Sequence, residues 1–156
     1  MHASPSPEEA APLEAHLGFW LRFVSNHVSA RFGRLLEERG VTVTEWVALR
    51  ALLDTGETSH AELIRTLGMT KGAASKVVSR LEEKGLARRR LAPGRGREQV
   101  LSLTRAGRAL VPRLAELADA NDEHFFGHLA AAERRALLDA MRALVARHRL
   151  EELPTS

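Results

Sequence analysis

The sequence predicts a mostly helical protein with one small β-hairpin. Through most of the chain, apolar residues recur three and four positions apart, which is the period of an amphipathic helix. The period changes at Ala87, where two short strand-like segments flank a tip rich in Pro and Gly. Apolar residues make up 44% of the 156 residues, which is enough to form a core and excludes a globally disordered protein.

Residues 13–39 are predicted to form one long helix. Its apolar residues lie on one stripe, and Gly40 is a common residue just past a helix end. Residues 1–12 are rich in Pro, Ser and Ala, and we expect a disordered arm there. They lack a basic region followed by an apolar one, so we do not expect a signal peptide. Since no apolar stretch approaches the roughly 18 to 20 residues of a membrane span, we expect a cytoplasmic protein.

Three shorter helices are predicted next, each opened by a residue that suits the N-cap position. Thr42 and Glu45 have the three-residue spacing of a capping box, as do Ser59 and Glu62 at the second helix. Thr70 caps the third helix, which follows a tight turn. The three predicted helices are 46–53, 59–67 and 70–84.

The C-terminal part of the chain is predicted to contain two more helices. Thr104 caps a long helix that runs to about Leu129, and Pro112 should bend it because proline lacks a backbone donor. A last helix is predicted at 133–149, followed by a short tail at 151–156. This last helix carries an apolar stripe that favours burial against a two-fold partner: Leu137, Leu138, Met141, Leu144 and Val145.

Positive charge is concentrated in the middle of the chain. Residues 55–104 contain ten Lys or Arg and five Glu, so this segment carries +5, whereas the whole chain carries +3. The remaining residues therefore carry a net negative charge. A basic block beside an acidic scaffold favours a polyanionic partner, although a solvated basic face gives the same pattern.

The element order, in which two helices, a tight turn, a third helix and a hairpin follow one another, is typical of a winged helix-turn-helix. Residues 69–86 contain the candidate reading helix, because the major groove of B-DNA admits one α-helix. At 100° per residue, the inward stripe consists of Ala74, Val77, Val78 and Leu81. The outer face is small and polar, and contains Gly72, Ser75, Lys76, Ser79 and Glu83.

The side chains of this outer face suit double-stranded DNA. Lys71 and Lys76 can reach phosphates or guanine edges, and the two serines can donate to or accept from bases. Thr70 and the helix N-terminus offer N–H groups to a phosphate. The hairpin at 87–103, described next and called the wing, adds three arginines to this set. The candidate DNA-binding residues are Thr70, Lys71, Gly72, Ser75, Lys76, Ser79, Arg80, Arg89, Arg95 and Arg97.

The predicted hairpin is strongly basic. Its strands are Ala87–Leu91 and Gln99–Leu103, joined by the tip at 92–98. A flexible basic tip can enter the minor groove, where arginine responds to groove width and negative potential. Ten residues of this hairpin contain five arginines with no acidic residue among them: Arg88, Arg89, Arg90, Arg95 and Arg97.

Two stretches resemble the MarR (multiple antibiotic resistance regulator) family of bacterial transcription factors. The first is LIRTLGMTKGAASKVVSRLEEKGLARR at 63–89, and the second is REQVLSLTRAG at 97–107. Arg-Leu-Glu-x-x-Gly-Leu, a basic wing and Leu-Thr-x-x-Gly are fairly specific in combination. The resemblance covers about residues 13–150.

The resemblance implies a triangular homodimer that regulates transcription, usually as a repressor, often released by a small anionic aromatic ligand. It implies a pseudo-palindromic operator and places Arg97 in the minor groove. The family typically has Asp two residues before that arginine, but position 95 is Arg, so this wing lacks that ion pair. The implied organisation is one domain at 13–150, with dimerisation helices at 13–39 and 104–150 and a winged helix-turn-helix at 43–103.

An effector pocket is predicted where the dimerisation helices (13–39 and 104–150) meet the winged helix-turn-helix (43–103). Tryptophan offers stacking surface, and His or Arg offers positive or donor groups, so we expect an aromatic carboxylate or a similar anion. Core or dimer packing is the alternative role for the aromatic residues. The candidate effector residues are His16, Trp20, Trp46 and Arg50.

Three other functions compete with a sequence-specific regulator. We expect no enzyme, because the chain has no Gly-x-Ser-x-Gly, Walker loop, His-Glu-x-x-His or dinucleotide fingerprint. A nucleoid-type protein that binds DNA without operator preference stays possible. His124 and His128 have i, i+4 spacing and could share Zn²⁺, but such pairs are more often solvated, so we predict neither a metal nor another cofactor. The absence of Cys excludes thiolate metal sites and cysteine-based redox sensing.

Overall fold

The computed structural model of the protein describes residues 3–92, 94 and 98–150. These residues form a mostly helical protein with one small antiparallel sheet, which confirms the predicted fold class. The helices are α1 (Leu17–Glu37), α2 (Val43–Thr55), α3 (His60–Leu67), α4 (Lys71–Glu83), α5 (Arg105–Phe126) and α6 (Ala131–His148). The strands are β1 (Glu57–Ser59), β2 (Ala87–Leu91) and β3 (Gln99–Leu103).

The first helix begins four residues later than predicted. Leu13–Ala15 form a separate 3₁₀ turn, and the extended backbone of His16 interrupts the chain before Leu17. The prediction followed apolar periodicity alone, but Leu13 and Leu17 are exposed and gain no packing that would favour a continuous helix. Residues 3–12 are exposed and contain a short 3₁₀ turn, while the predicted tail at 151–156 lies outside the described residues.

Four helices begin at the hydroxyl caps predicted from the sequence. Both predicted capping boxes are nevertheless only half formed, because the carboxylates bind elsewhere. Glu62 accepts a hydrogen bond from the Thr58 hydroxyl over 3.0 Å, and Glu45 points into the protein. The capping hydroxyls each accept from the backbone N–H three residues on, over 3.1–3.2 Å, and belong to Thr42, Ser59, Thr70 and Thr104.

The second helix is longer than the predicted 46–53. It begins directly after its Thr42 cap and continues to Thr55, where Gly56 ends it with a φ of 73°. Local side-chain bonds support the last turn, since the Thr55 hydroxyl donates to the carbonyl of Ala51 over 3.0 Å. Asp54 and Thr55 suit a turn as well as a helix end, so the sequence pattern placed the boundary too early.

The hairpin has the predicted strands and gains a third strand. Ala87 pairs with Leu103, and Leu91 pairs with Gln99, in an antiparallel register. β1 was not predicted, and it pairs with the other edge of β3 to give the order β1-β3-β2. Three residues are too few to show a two-residue period. Because β1 leads straight into α3, it fastens the start of that helix to the base of the hairpin.

One hydrophobic core joins the sheet to α2, α3 and α4, and the long helices α1 and α5 also contribute buried side chains to it. Higher up, α1 and α5 are held together by the buried amide of Asn121, which accepts from Arg31 over 2.9 Å and donates to the carbonyl of Val28 over 3.1 Å. The largest fully buried apolar side chains of the core are Leu36, Leu49, Leu52, Leu63, Leu67, Leu81, Leu101 and Leu114.

The two C-terminal helices lie close to their predicted positions. α5 contains Pro112 and ends at Phe126, three residues earlier than predicted; the bend at Pro112 stays a prediction. α6 begins two residues early because the Glu133 carboxylate accepts from the backbone N–H of Ala130 over 3.0 Å and closes the helix start. Within the described ranges, no helix has both the length and the apolar character needed to cross a bilayer.

Candidate nucleic-acid interface

α4 has two contrasting faces, as its sequence predicts. Gly68 ends α3 in the left-handed region with a φ of 62°, and this lets the chain turn sharply into the Thr70 cap. The four residues predicted to point inward are all buried: Ala74, Val77, Val78 and Leu81. On the opposite side Ser75 and Ser79 are half-buried, and the exposed residues include Lys71, Gly72, Lys76 and Arg80.

The C-terminal end of α4 is anchored by an ion pair that sequence analysis missed. The Lys84 ammonium donates to both carboxylate oxygens of Glu45, over 2.6 and 2.9 Å, and to the carbonyl of Gly40 over 2.7 Å. Glu45 is only 1% exposed, whereas Lys84 is 36% exposed. The spacing of Glu45 from Thr42 indicated a cap, and no local signal pointed to a partner 39 residues away. This contact fixes α4 against α2 and the α1–α2 turn.

The hairpin is joined to the end of α4 by the Leu-Thr-x-x-Gly segment. Thr104 donates from its backbone N–H to the carbonyl of Leu86 over 3.1 Å and from its hydroxyl to the carbonyl of Gly85 over 2.6 Å. A Cβ atom at Gly107 would lie only 2.1 Å from the Leu86 oxygen. The glycine therefore allows α5 to approach this turn closely. This contact gives a physical reason why the Arg-Leu-Glu-x-x-Gly-Leu and Leu-Thr-x-x-Gly motifs occur together.

Arg89 is turned toward α4 rather than outward. Its Nε donates to Glu82 over 2.7 Å and its Nη2 donates to the Ser79 hydroxyl over 3.0 Å. A longer contact of 3.4 Å joins its Nη1 to the side-chain oxygen of Gln99 on β3. Sequence analysis named Arg89 as a DNA contact, which stays a prediction; within the chain, Arg89 links the wing to the reading helix.

Part of the basic charge of the 55–104 segment is therefore paired with acidic side chains of the same chain. Lys84 pairs with Glu45, Arg89 with Glu82, and Arg90 with Glu57 on β1. The exposed cations of the reading helix and the adjoining strand that form no ion pair within the described residues are Lys71, Lys76, Arg80 and Arg88. Fewer of the cations of this segment are thus left unpaired for a polyanion than the sequence charge alone indicates.

A groove of about 510 Å³ separates α3 and α4 from the wing. His60, at the start of α3, lies in this groove with its Nε2 3.4 Å from the Ser75 hydroxyl. Burial lowers the pKa of His60 below its ordinary value, and the positive charges of Arg89 and Lys71 lower it further. The neutral imidazole is therefore favoured near pH 7. Sequence analysis did not single out His60, because its neighbours come from two other elements.

The predicted wing-tip contacts Arg95 and Arg97 lie outside the described residues. Thr70 lies at the start of the reading helix as predicted, but its hydroxyl already accepts the N–H of Ala73. Besides the helix N-terminus that it caps, Thr70 can still offer a phosphate its own hydroxyl hydrogen, because the hydroxyl oxygen is only the acceptor in the cap.

The four candidate effector residues fall into two groups. His16 and Trp20 lie at the exposed start of α1, where the Trp20 ring donates to the Glu14 carbonyl over 2.9 Å. Trp46 packs edge-on against Phe32 with ring centroids 6.3 Å apart. Phe32 lies twelve residues after Trp20 on α1, which is about 18 Å along a helix axis.

Arg50 completes the second group and is exposed on α2, where it pairs with Asp54 over 3.2 Å. Within one chain, the structure thus places Trp46 and Arg50 on α2 and keeps them apart from His16 and Trp20. The single pocket that sequence analysis assembled from all four residues stays a prediction, and it needs an element that bridges the two groups.

The histidine pair considered for Zn²⁺ does not share a helix. α5 ends at Phe126, so His124 lies on its last turn and His128 lies in the turn that follows. The i, i+4 argument therefore fails because its helical premise is wrong. Among the residues that the structure describes, no three His, Asp or Glu side chains cluster as a metal site would require.

Comparison with known proteins identifies this architecture. A family model described as MarR family matches residues 39–98. The HTH-type transcriptional repressor Rv2887 of Mycobacterium tuberculosis is 32% identical over 122 residues, which cover 78% of this chain and 88% of that protein. The chain belongs to the MarR family. The resemblance seen in the sequence is confirmed, and the protein is a MarR-type transcriptional regulator.

Solved structures share the fold of this MarR-family chain. A probable transcriptional regulator from Pseudomonas aeruginosa is 32% identical with a TM-score of 0.74, over 87% of this chain and 98% of that one. BpsR of Bordetella bronchiseptica, in a structure that concerns regulation of its DNA binding by 6-hydroxynicotinic acid, is 26% identical with a TM-score of 0.76. That match covers 86% of this chain and 96% of BpsR. This chain thus shares its overall fold with these solved structures.

Proposed function

We propose that this protein is a homodimeric repressor that binds a pseudo-palindromic site on double-stranded DNA and releases it when a small ligand binds. The observation that carries this proposal is the way α4 is held. Its apolar face is buried, its C-terminal end is fixed by Lys84, and its outer face presents Lys71, Lys76 and Arg80 beside a basic hairpin. A rigid, basic helix with small residues at its start is suited to the major groove.

The exposed apolar surface of the long helices supports a homodimer. Every residue of α6 is exposed, although the helix carries the apolar stripe predicted from the sequence. A stripe of this kind in a soluble protein marks an interaction surface. A two-fold partner that supplies the same stripe covers it at no other cost to the fold. The side chains of this α6 stripe are 41–47% exposed and belong to Leu137, Leu138, Met141, Leu144 and Val145.

Selection of bound duplexes from a random DNA pool tests the DNA-binding part. A dimer with two reading helices is expected to select a pseudo-palindrome whose half-sites are centred about one helical turn apart, roughly 34 to 36 Å. Affinity for the selected site should exceed that for random DNA by about 10³-fold or more at fixed salt. Equal affinity for both would instead favour the nucleoid-type DNA binder.

The ligand part rests on the relative that is regulated by a small aromatic acid and on the exposed cation beside an aromatic pair. Arg50 lies one turn after Trp46 on α2, and Trp46 packs against Phe32. A carboxylate bound by Arg50 would have to displace Asp54, its present partner. Such a ligand needs only a few kcal/mol of preference for one dimer geometry to shift the population away from the DNA-binding one.

A release assay tests this site directly. The protein is bound to its selected duplex and titrated with a panel of aromatic acids that includes 6-hydroxynicotinic acid, with Trp fluorescence followed in parallel. Arg50→Ala should need a higher concentration of the active acid, whereas Arg113→Ala, an exposed arginine on α5, should respond like the wild type. If no acid releases DNA, or if Arg50→Ala responds identically, this ligand site is wrongly assigned and the DNA-binding proposal stands.

A further inference from the structure

Two serines on the outer face of α4 are each bonded to a residue from another element. Ser75 contacts His60 of α3 over 3.4 Å, and Ser79 contacts Arg89 of β2 over 3.0 Å. These partners differ chemically. A neutral imidazole nitrogen either donates or accepts depending on its tautomer, whereas a guanidinium only donates and stays protonated at any physiological pH. Ser79 is therefore the acceptor in its bond with Arg89, whereas the direction of the Ser75–His60 bond depends on the imidazole tautomer.

The side chain of Arg89 is held firmly enough to impose this role. Glu82 lies one turn after Ser79 on α4 and accepts from the Arg89 Nε over 2.7 Å. Only 24% of the Arg89 side chain is exposed, and its other nitrogens reach Ser79 and Gln99. The guanidinium is thus fastened to the helix by one residue while it donates to another.

We propose that Arg89 is a positioning residue that makes Ser79 a hydrogen-bond donor toward the base edges of the DNA. This inference rests on the proposed DNA binding. Because the Ser79 oxygen accepts from Arg89, its own hydroxyl hydrogen is directed away from Arg89, toward the open outer face that Ser79 shares with Lys76 and Arg80. A donor in the major groove matches the N7 of either purine, the O6 of guanine or the O4 of thymine, and it opposes the amino group of cytosine.

The proposal separates Arg89 from the arginines that contact phosphates. A phosphate contact adds about 0.9 to the slope of log K against log salt, whatever the sequence. Arg89 is already neutralised by Glu82, so its loss should leave that slope unchanged and should instead alter base preference at one position of each half-site. Arg88 is the matched control, since it is the neighbouring arginine on the same strand and is exposed.

The experiment uses the full-length protein and the duplex it selects. Each base at every half-site position is replaced in turn, and 7-deazapurines are used to remove N7 alone. Affinities are measured for wild type, Ser79→Ala, Arg89→Ala, Arg88→Ala and the double variant of 79 and 89, at several salt concentrations. Glu82→Gln is added because it keeps Arg89 and only loosens its anchor, so the test survives if Arg89→Ala misfolds.

The wild type is expected to discriminate against cytosine at one position by roughly tenfold. Ser79→Ala and Arg89→Ala should both erase that preference, the double variant should lose no more than Arg89→Ala alone, and Glu82→Gln should weaken it. Arg88→Ala should keep it. If Arg89→Ala lowers the salt slope by about one while base preference persists, Arg89 is a phosphate contact and the inference is wrong.

A second outcome would also overturn the inference, namely Ser79→Ala with unchanged base preference, because Ser79 would then read no base. Failure of the proposed function looks different from either result. In that case the wild type itself selects no site, and every duplex is bound equally before any variant is made.

Discussion

The winged lobe and the C-terminal helix α6 treat their apolar residues in opposite ways. In the lobe, leucines of α2, α3 and α4 are fully buried against the sheet, and even the charged Glu45 is enclosed and paired. On α6, five large apolar residues recur at helical spacing and stay more than 40% exposed. Both regions have amphipathic sequences, so amphipathicity alone does not distinguish a helix that packs within its chain from one that awaits a partner.

This contrast indicates different roles for the winged lobe and for α6. The lobe is complete within one chain, because its core, caps and ion pairs come from residues 36–114. In the proposed homodimer, the α6 stripe is covered by a second copy, which also sets the distance between the two reading helices. DNA affinity should therefore be sensitive to both regions, but stability of the winged lobe should depend mainly on its own contacts. The following predictions test this division.

The largest effect is expected from a charge placed in the α6 stripe. Met141→Lys puts an ammonium at the centre of the stripe, where a partner would have to bury it, so the protein should become monomeric. A monomer engages one half-site at a time and loses the avidity of the second, a loss of roughly 100-fold or more in operator affinity. Sedimentation and DNA titration measure both changes.

Asp139→Lys is the matched control, because at 100° per residue position 139 lies opposite the stripe. It should stay dimeric and should bind DNA at least as well as the wild type. Dimeric Met141→Lys with normal affinity would show that the stripe is not the interface.

The next effect concerns the Glu45–Lys84 pair, where the two halves should not cost the same. Lys84→Met leaves a buried carboxylate without its cation and should destabilise the fold by about 3–5 kcal/mol. Glu45→Gln leaves Lys84 partly exposed, so water replaces the lost contact and the cost should be about 1–2 kcal/mol. Urea unfolding measures both. Equal costs would show that Glu45 reaches solvent more easily than its 1% exposure indicates.

Most of the winged lobe followed from local rules in the sequence. The inward stripe of α4, the bounds of β2 and β3, and four hydroxyl caps depend on residues close together in the chain, so periodicity and cap spacing predicted them. The MarR-like motifs then fixed the order of the elements. These features require no knowledge of which distant residues meet.

The features of the candidate site that were missed depend on contacts between different elements of the chain. Lys84 is 39 residues from Glu45, and the Arg90–Glu57 pair spans 33. Arg89 looked like another surface arginine until its contacts with Ser79 and Glu82 were seen. Opposite charges far apart in a sequence offer too many pairings to choose among, so the sequence did not show which arginines of the hairpin pair with acidic residues of the chain.

Gly107 provides a smaller test of the close contact between α5 and the wing. Gly107→Ala places a methyl group against the Leu86 carbonyl, and the helix must move away, at a cost of about 1–3 kcal/mol. Gly72→Ala is the control, because a Cβ there meets open space and alanine favours a helix by up to about 1 kcal/mol. Thermal unfolding should therefore shift in opposite directions for the two variants. Parallel shifts would contradict the packing argument.

The smallest effect is expected from the protonation of His60. Its pKa in the folded protein is below the ordinary value near 6.5, because burial and the cations Arg89 and Lys71 disfavour the imidazolium. Between that lowered pKa and about 6.5 the unfolded chain binds more protons than the folded one, so the His60 contribution to stability is lost as the pH falls through this window.

Urea unfolding of wild type and His60→Gln at pH 7.5 and 5.5 should show the wild type losing more stability on acidification than the variant. For DNA affinity, acidification should act in the favourable direction, because phosphates close to the groove favour the imidazolium of His60. Wild type should therefore bind operator DNA more tightly at pH 5.5 than at pH 7.5, and His60→Gln should not. If wild type and His60→Gln keep the same pH profile with and without DNA, the groove exerts no control over that proton. Arg89 and Lys71 would then have no effect on the protonation of His60, and their role beside α3 would be structural only.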